Sequence, residues 1–546
     1  MSSLKKQPNI LILISDQQSA VRSWADEWDT PDNFPAMHRL KKNGLTFTRG
    51  SINSCTCSPS RVTLFTGLYP AQHGVIQVLE FDDPYGNNAV KQQMQVPLSS
   101  DIQNMGKMMK EAGYNVVYKG KWHLTKPTNF IVDDEKDINQ LYWTTEDVVH
   151  ISDRWAFGEW NAPDAGDNMN TANFGGGTVN NDGRFVSGNG QAALYGEQPK
   201  EQLYKESVLH FFEKYNVDTD KPFCLIVSLV NPHDVLSYPG TNPAMKAQGI
   251  PPTYIQGGYN PDDFKDIPVV LPSTVDEDLA TKPQAQLQWR DFCNLTNGSL
   301  KGEQAQTEYL QFYSHLSSMV DKEMNHVLDA LDKKGLTDDT LVIRISDHGD
   351  MKVSHGYQRQ KMYNVYKETL NVPFIISNPN LFKEPKETDS LASLIDIMPT
   401  LATIIGLDDE QRKNYTFKGV DLTPIIANPN AEVQDYTHYT YDDMYFPVPA
   451  AGHIRAIVEK NWKYAVYFDP NTGKPTEYEL YNIAPDADPN EVYNLANPVY
   501  ATPASNVEWE RLHAKLTQVM DELGTMPDSI FWPDTLPKIG QVAAGS

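Results

Sequence analysis

Apolar runs that end in polar residues recur along the first part of the chain. They are Ile10–Ile14 before Asp16-Gln17, Phe223–Val230 before His233, and Leu341–Ile345 before Asp347-His348. Continuous apolar runs of this length are typical of strands that are buried on both faces of a parallel sheet. Ligands gather at the carboxyl ends of such strands. The pattern therefore predicts a parallel sheet with a polar site along one edge.

Segments with helical spacing lie between these runs. Apolar positions in Asp101–Ala112 and Glu308–Lys334 recur at helical intervals, and Gly113 and Gly335 supply C-terminal stops. Further predicted helices are Tyr204–Tyr215, Leu391–Ile405 and Glu508–Leu523, and further predicted strands are Tyr114–Tyr118 and Val372–Ile376. Alternating strands and helices are typical of an α/β domain, whose mainly parallel sheet is flanked by helices.

Two long segments show little periodicity. Pro127–Gln198 is rich in Asn, Gly and Asp, and Tyr238–Gly298 is rich in Pro and Asn. Such composition favours irregular structure. We therefore expect elaborated surface segments that wall a pocket, rather than core elements.

The pattern changes after about Gly419. His453–Val458, Trp462–Phe468 and Tyr478–Asn482 are short strand candidates separated by turn residues. They predict a small antiparallel sheet in a second, α+β unit. We therefore divide the chain into a large α/β domain at residues 1–420 and a C-terminal subdomain at residues 421–546, which ends in a closing helix.

The chain is strongly acidic, with a formal net charge of −25 over 546 residues. Such a surface repels nucleic acid and anionic membranes, so we expect neither as a partner. An anionic substrate would need a locally positive site. The acidic surface also disfavours a highly sulfated polysaccharide as the natural target.

Four cysteines are too few for a disulfide framework, and their spacing is not that of a zinc site. This low count is typical of a reducing compartment. Ile10–Ile14 is too short for the apolar part of a signal peptide, and no apolar run reaches the length of a membrane span. We therefore expect a cytoplasmic protein.

The pairs Asp16-Gln17 and Asp347-His348 offer three oxygen donors and one imidazole. Oxygen-rich sites favour Ca²⁺, Mg²⁺ or Mn²⁺. The alternative is ordinary polar termination of two strands. Spacing alone leaves both interpretations open.

Lys121 and His123 lie just after the predicted strand Tyr114–Tyr118. Alternate residues of an extended chain face the same way, so this pair could serve an anion and a proton transfer. The alternative is a surface lysine beside a packed tryptophan. His233 and Lys361, taken alone, are an ordinary structural histidine and an ordinary exposed lysine.

The run Cys57–Arg61 is more specific. A helix could begin at Thr63–Phe65, with Pro59 near its first turn. A cysteine just ahead of a helix, with Arg61 nearby, lies in a positive field that favours the thiolate. The residues alone thus suggest a cysteine nucleophile, and the alternative is a buried structural cysteine.

The run Cys57–Gly67 resembles the signature of the type I sulfatases, Cys-x-Pro-Ser-Arg-x-x-x-Leu/Phe-Thr-Gly, and Gly120–Leu124 resembles the second signature of that family. The resemblance extends along most of the chain in the same order. It includes Asp16-Gln17, Asn231–His233, Ser346–Gly349, Lys361, Glu479–Tyr481 and Asp488–Leu495.

This resemblance implies a fold similar to alkaline phosphatase and a nucleophile made by oxidising Cys57 to Cα-formylglycine. A formylglycine-generating or equivalent enzyme would be required as a partner. One hydroxyl of the aldehyde hydrate would attack sulfur and release the alcohol. The hemiacetal would then collapse and expel sulfate, whereas a serine would remain as a stable sulfate ester.

The resemblance also implies a role for each matching position. A divalent cation, with Ca²⁺ the first expectation, would be held by Asp16, Gln17, Cys57, Asp347 and His348. Many family members have acidic residues or Asn where Gln17 and His348 stand. Because imidazole is softer than a carbonyl oxygen, Mg²⁺ and Mn²⁺ stay open.

The remaining roles concern the diol and the sulfate group. Arg61 would steady the diol, Lys121 and Lys361 would pair with sulfate oxygens, and His123 would remove the diol proton. His233 or Lys361 would protonate the departing oxygen. In the usual family pattern, the lysine precedes its tyrosine by one residue fewer than Lys361 precedes Tyr366.

The sequence therefore predicts hydrolysis of a small sulfated substrate, an aryl or small alkyl sulfate. One alternative is a phosphodiesterase or phosphonate monoester hydrolase on the same site, since such relatives also place His at the position of His348. Further alternatives are a non-catalytic anion-binding or metal-binding relative and a plain cysteine hydrolase.

Overall fold

The computed structural model of the protein describes residues 7–80, 95–127, 129–133, 138–191, 200–470, 473–527, 532–533 and 536–537. In chain order the strands are β1 (Asn9–Asp16), β2 (Gly44–Phe47), β3 (Gly50–Ser51), β4 (Ser54–Cys55), β5 (Asn115–Gly120), β6 (Asn129–Asp133), β7 (Ile138–Tyr142), β8 (Phe223–Pro232), β9 (Thr340–Ser346), β10 (Phe374–Ser377), β11 (Lys386–Thr388), β12 (Ala392–Ser393), β13 (Thr437–Tyr441), β14 (His453–Val458), β15 (Trp462–Phe468) and β16 (Glu477–Asn482).

The α-helices of five or more residues are Pro35–Lys42, Cys57–Thr66, Met105–Glu111, Thr145–Trp155, Asn181–Ser187, Lys200–Lys205, Val208–Lys214, Pro243–Ala247, Gln284–Asn297, Glu303–Lys333, Ile397–Ile404, Thr423–Ala427 and Pro503–Leu523. Shorter helical turns are Pro70–His73, Thr253–Gln256, Ser354–Tyr357, Lys367–Leu370 and Asp409–Arg412. In the described part of the chain, none of the helices combines the length and the apolar composition that a membrane span requires.

A seven-stranded sheet forms the centre of the large domain, in the order β11-β2-β10-β9-β1-β8-β5. The four strands from β9 to β5 are parallel, which confirms the predicted α/β architecture with a mainly parallel sheet. β10 runs antiparallel to both of its neighbours. The central position of β1 explains its unbroken apolar sequence.

Both faces of β1 are covered. Ile10, Ile12 and Ile14 belong to one hydrophobic core, and Leu11 and Leu13 belong to another. Alternate side chains of a strand point to opposite faces, so a strand inside a two-faced core needs apolar residues throughout.

The long helix Glu303–Lys333 covers the second core with Val320, Met324 and Val327. It begins a few residues before the predicted Glu308 and ends near Gly335, whose φ of 70° suits the stop.

The predicted C-terminal antiparallel sheet is confirmed, in the order β16-β15-β14-β13-β4. The closing helix Pro503–Leu523 packs Leu512 and Leu516 against this sheet. β4 also belongs to this sheet, where it pairs in parallel with β13, although in the chain it lies just before Cys57. The boundary near residue 420 stays a prediction, and β4 links the two sides of it.

The interpretation of Pro127–Gln198 as a surface segment outside the core is wrong. Its described residues include the β6–β7 pair and the α-helices Thr145–Trp155 and Asn181–Ser187, and Phe157 and Trp160 are buried in the core. Both rings contact the buried ring of Trp122. Aromatic side chains at irregular spacing fill this core, so no periodic pattern marks them in the sequence.

Several other boundaries differ from the predicted ones. Tyr238–Gly298 contains the regular helix Gln284–Asn297. The predicted helix Asp101–Ala112 starts only at Met105, because the side chain of Asn104 accepts a hydrogen bond from the Lys107 amide and caps it.

Two further predicted helices are divided or shortened. Tyr204–Tyr215 is split into two helices at Ser207, which caps the second. Leu391–Ile405 contains β12 before the helix begins at Ile397.

We predict that Gly120→Ala destabilises the protein by about 3 kcal/mol or more. Gly120 has a φ of 105°, and a Cβ there would lie 1.8 Å from the carbonyl oxygen of Ser228 in β8. The matched control is Gly74→Ala, where φ is 80° and nothing lies within 4 Å of the added Cβ. We expect this control to lose only about 1 kcal/mol. Denaturant unfolding of both variants measures the difference, and equal losses would contradict the steric argument.

Candidate active site

Three strand ends meet at one edge of the central sheet. β1 ends at Asp16, and its Ser15 pairs with Ser346 of β9, so Asp347 lies beside Asp16. β8 pairs with the other side of β1 and leads directly into His233. The predicted clustering of polar residues at the carboxyl edge is therefore what the structure shows.

The helix Cys57–Thr66 fits against this edge and is entirely buried. It begins at Cys57 itself, earlier than the predicted start at Thr63, because Pro59 is tolerated in a first helical turn. The Cys57 Sγ lies 3.0 Å from His348 Nε2 and 3.8 Å from Asp16 Oδ1. The cysteine is thus part of the polar cluster.

Arg61 joins the two carboxylates of the cluster. Its Nε donates to Asp347 Oδ2 at 2.8 Å, and its Nη2 donates to Asp16 Oδ2 at 2.9 Å. Its Nη1 donates to Ser228 Oγ at 2.7 Å and to the carbonyl oxygen of Lys121 at 3.2 Å. All three side chains of the ion pairs are fully buried. Arg61 therefore bridges the two carboxylates. A contact of Arg61 with a diol at position 57 stays a prediction.

Four of the five predicted metal ligands form one group. One ligand atom from each of Asp16, Cys57, Asp347 and His348 lies within 4.8 Å of the others. His348 Nδ1 lies 3.0 Å from the carbonyl oxygen of Gly349, an acceptor, so this nitrogen carries the proton and Nε2 presents its lone pair. Ligands of one cation with bonds of about 2.0–2.6 Å have this spacing. The donor set therefore fits a divalent cation.

Gln17, the fifth predicted ligand, lies beside this group. Its main-chain N–H donates to Asp347 Oδ1 at 3.1 Å. Its Oε1 accepts a hydrogen bond from Lys361 Nζ at 2.6 Å. The backbone of Gln17 therefore contacts the cluster directly, and its side-chain oxygen is held by Lys361.

The two carboxylates differ in their proton affinity. Burial by itself would raise the pKa of Asp16, but Lys121, His233 and Arg61 hold that pKa well below its ordinary value. Burial, and then repulsion by Asp16, raises the pKa of Asp347 to about 6. The positive groups around the pair therefore stabilise the charge of Asp16 more than that of Asp347. A cation bound between them would supply the missing positive charge at Asp347.

Lys121 is a buried ion-pair partner, which excludes the alternative of a surface lysine. Its Nζ lies 2.6 Å from Asp16 Oδ2 and also donates to the carbonyl oxygen of Gly166. Burial opposes its charge, but attraction to Asp16 and Cys57 raises the pKa of Lys121. The side chain therefore holds its proton.

His123 reaches the same site by a different backbone route from the expected one. Its φ is 55°, so the chain is not extended here. Asp164 holds this turn by accepting hydrogen bonds from the main-chain N–H groups of Trp122 and His123, both at 2.8 Å. Asp164 lies in Pro127–Gln198, the segment that the sequence analysis interprets as a surface segment, and no pattern in the sequence distinguishes it.

The imidazole of His123 is neutral. Burial, and then the charges of Lys121 and Arg61, bring the pKa of His123 well below its ordinary value. Its Nε2 lies 2.8 Å from the carbonyl oxygen of Leu79. A neutral imidazole has a lone pair that can accept a proton, but burial and the neighbouring cations make it a weaker base.

His233 and Lys361 also lie at the site, so neither is the isolated residue that it seems to be in the sequence. Burial, followed by the charge of Lys121, lowers the pKa of His233 well below its ordinary value. Burial opposes the charge of Lys361, whereas Cys57 and Asp16 raise its pKa. In this arrangement Lys361 carries a proton and His233 does not.

The arrangement concentrates positive charge inside an acidic protein. Arg61 and Lys121 form ion pairs with the carboxylates of the cluster, and Lys361 lies beside them at the side-chain oxygen of Gln17. A divalent cation at the carboxylates would make the site strongly positive. The arrangement can therefore bind an anion close to residue 57, with neutral imidazoles and charged lysines nearby to accept or donate protons.

Comparisons with known proteins agree with this geometry. The sulfatase family model matches residues 8–407, and the model of the C-terminal region of N-sulphoglucosamine sulphohydrolase matches residues 354–522. A choline-sulfatase of Rhizobium meliloti (strain 1021) is 24% identical over 505 residues, which cover 90% of this chain and 83% of that protein.

Solved structures show the same fold. A Bacteroides thetaiotaomicron protein described as a sulfatase superposes with a TM-score of 0.63 at 20% identity, covering 95% of this chain and 93% of the other. The phosphonate monoester hydrolase of Agrobacterium radiobacter superposes with a TM-score of 0.60 at 17% identity, covering 95% and 96%.

The sulfatase family model spans well over half of the 546 residues. The alkaline-phosphatase-like fold and the buried cluster around Cys57 are consistent with it. The protein therefore belongs to the sulfatase family.

Proposed function

We propose that the protein hydrolyses small aryl or alkyl sulfate esters to an alcohol and inorganic sulfate, with residue 57 as the nucleophile. Family membership supports sulfate-ester hydrolysis in general. One observation carries the specific proposal: Cys57 Sγ lies 3.0 Å from His348 Nε2 and 3.8 Å from Asp16 Oδ1, inside a group of cation-binding side chains. A structural cysteine has no need of such neighbours.

The nucleophile in this proposal is formylglycine made from Cys57 by a maturation enzyme. As a hydrate it would supply a second hydroxyl, which allows the sulfated enzyme to release sulfate without attack by water. The helix Cys57–Thr66 holds residue 57 rigidly, since every residue of the helix is buried. Arg61, four residues later, anchors the same helix to the carboxylates.

The side chains around residue 57 would have different roles in the reaction. Lys121 and Lys361 keep their protons and would pair with sulfate oxygens. Neutral His123 would accept the proton of the second hydroxyl. Lys361 is better suited than His233 to protonate the departing oxygen, because only Lys361 carries a proton in this arrangement.

Asp16, Gln17, Asp347 and His348 would hold the divalent cation. When bound, it would act as a Lewis acid for residue 57 and for a sulfate oxygen. Ca²⁺ suits the three oxygen donors. Because the imidazole of His348 is a softer ligand than a carbonyl oxygen, Mg²⁺ and Mn²⁺ stay open as alternatives. A small sulfated alcohol is the substrate class that this site would take.

A second candidate is hydrolysis of phosphodiesters or phosphonate monoesters. It is favoured by the imidazole at the cation site and by the structural likeness to a phosphonate monoester hydrolase. Lys121 and His123 favour sulfate, because this pair suits a group with a single negative charge.

We predict that Cys57→Ala lowers kcat for 4-nitrophenyl sulfate at least about a thousandfold, because the nucleophile is lost. The matched control is Cys293→Ala, a buried cysteine on the helix Gln284–Asn297, which should keep its activity. Mass spectrometry of the peptide around residue 57 should show the CH₂–SH group converted to an aldehyde, with loss of sulfur and two hydrogens and gain of one oxygen. An intact thiol in fully active protein would refute the formylglycine proposal and favour a cysteine hydrolase.

We predict that EDTA treatment lowers turnover at least about tenfold and that added Ca²⁺ restores it, since the carboxylate pair would lose its counter-charge. Asp347→Asn should weaken the response to Ca²⁺. The exposed Asp338→Asn serves as the matched control and should behave like the starting protein. Full activity after complete removal of divalent ions would contradict a catalytic cation.

We predict that kcat/KM for 4-nitrophenyl sulfate exceeds the value for bis(4-nitrophenyl) phosphate and for a phenylphosphonate monoester by about tenfold or more. The site offers two lysines to one small anionic group. Faster turnover of the phosphate diester or the phosphonate would replace the sulfatase proposal by the second candidate. No turnover of any ester by protein with a modified residue 57 would favour a non-catalytic relative.

A further inference from the structure

The side-chain amide of Gln17 has a defined orientation. Its Nε2 donates to Asp350 Oδ2 at 2.7 Å and to Gln360 Oε1 at 3.3 Å. Its Oε1 points the other way and accepts from Lys361 Nζ at 2.6 Å. An amide can be turned end for end at little steric cost, so its neighbours decide which end faces the cation site.

Asp350 makes the shorter of the two hydrogen bonds to the Gln17 NH₂ group and is the one acceptor of the two that is a carboxylate. Its carboxylate is fully buried, and the groups around it are donors: Tyr309 Oη at 3.0 and 3.1 Å, the Lys352 N–H at 2.7 Å and the Gln360 N–H at 3.1 Å. Two of these are main-chain N–H groups, which cannot accept. A carboxylate held in this way remains an acceptor and requires the NH₂ end of Gln17.

We propose that Asp350 is a positioning residue that turns the oxygen of Gln17, rather than its NH₂ group, toward the cation and Lys361. The inference rests on the cation site of the proposed function, but it concerns a residue that is not itself a ligand. A reversed amide would place its oxygen against a carboxylate and its NH₂ against two positive charges. Partners that orient a metal ligand in this way typically change metal affinity by about tenfold or more.

The decisive variant is Asp350→Asn, which keeps the shape of the side chain and one oxygen for the Lys352 N–H. Its new NH₂ group, at the position of Oδ2, faces both the NH₂ group of Gln17 and the main-chain N–H of Gln360. The Gln17 amide should therefore turn over, while the Gln360 N–H loses its acceptor in this variant and in the double variant alike. We expect the affinity for Ca²⁺, measured by isothermal titration calorimetry, to fall by about tenfold or more. This measurement needs no turnover and no modified residue 57.

A second substitution separates positioning from a general structural role. In the double variant Gln17→Glu with Asp350→Asn, the carboxylate at position 17 accepts from the new amide and still presents an oxygen to the cation. The net charge of the pair is unchanged. We expect the double variant to bind Ca²⁺ no more than about threefold more weakly than the starting protein, since a complementary donor–acceptor pair is restored and position 17 also offers a charged oxygen to the cation.

The matched control is Asp321→Asn. Asp321 is also buried, accepts hydrogen bonds from the main-chain N–H groups of Ala36 and Met37, and lies outside the cation site. It should leave the Ca²⁺ affinity unchanged. Thermal unfolding of each variant in EDTA reports any loss of stability that is unrelated to the cation.

Unchanged Ca²⁺ affinity in Asp350→Asn would overturn the inference, and so would a double variant that binds no better than Asp350→Asn alone. Absence of Ca²⁺ binding by the starting protein would instead count against the proposed function. In that case a crystal structure of Asp350→Asn decides the inference: the Lys361 Nζ should leave Gln17, and an unchanged Lys361 contact would overturn it.

Discussion

The bridge from Arg61 to Asp16 and Asp347 is the interaction on which the site depends. Two carboxylates that are fully buried side by side repel each other, and burial makes each charge costly. One guanidinium contacts both, through separate nitrogens at 2.9 and 2.8 Å. Arg61 opposes the effect of burial on the pKa of both carboxylates and so favours their charged forms, with Lys121 adding to this effect at Asp16.

The same bridge ties the helix that carries Cys57 to the sheet. Arg61 and Cys57 lie on one buried helix, so the contacts of Arg61 with the strand ends also place residue 57 against them. β4, immediately before the helix, pairs with β13 of the C-terminal sheet. The start of the helix Cys57–Thr66 is therefore held between the central sheet and the C-terminal sheet.

Much of the fold could be predicted because its signals are local. Buried parallel strands need continuous apolar residues, and Ile10–Ile14 and Leu341–Ile345 show this directly. The helix Glu303–Lys333 has a clear period and a glycine stop. By contrast, Phe157 and Trp160 lie in a segment without periodicity, and only their packing on Trp122 shows that they belong to the core.

By itself, the sequence determined the family signatures and the order of the strand ends, because both are written in short runs of neighbouring residues. It also named Cys57 and the four other predicted ligands of the cation. Only the tertiary structure decided how these side chains are oriented. Asp164 holds the main chain at His123 and Asp350 holds the side-chain amide of Gln17, both through hydrogen bonds between residues distant in the chain, and such contacts leave no local pattern.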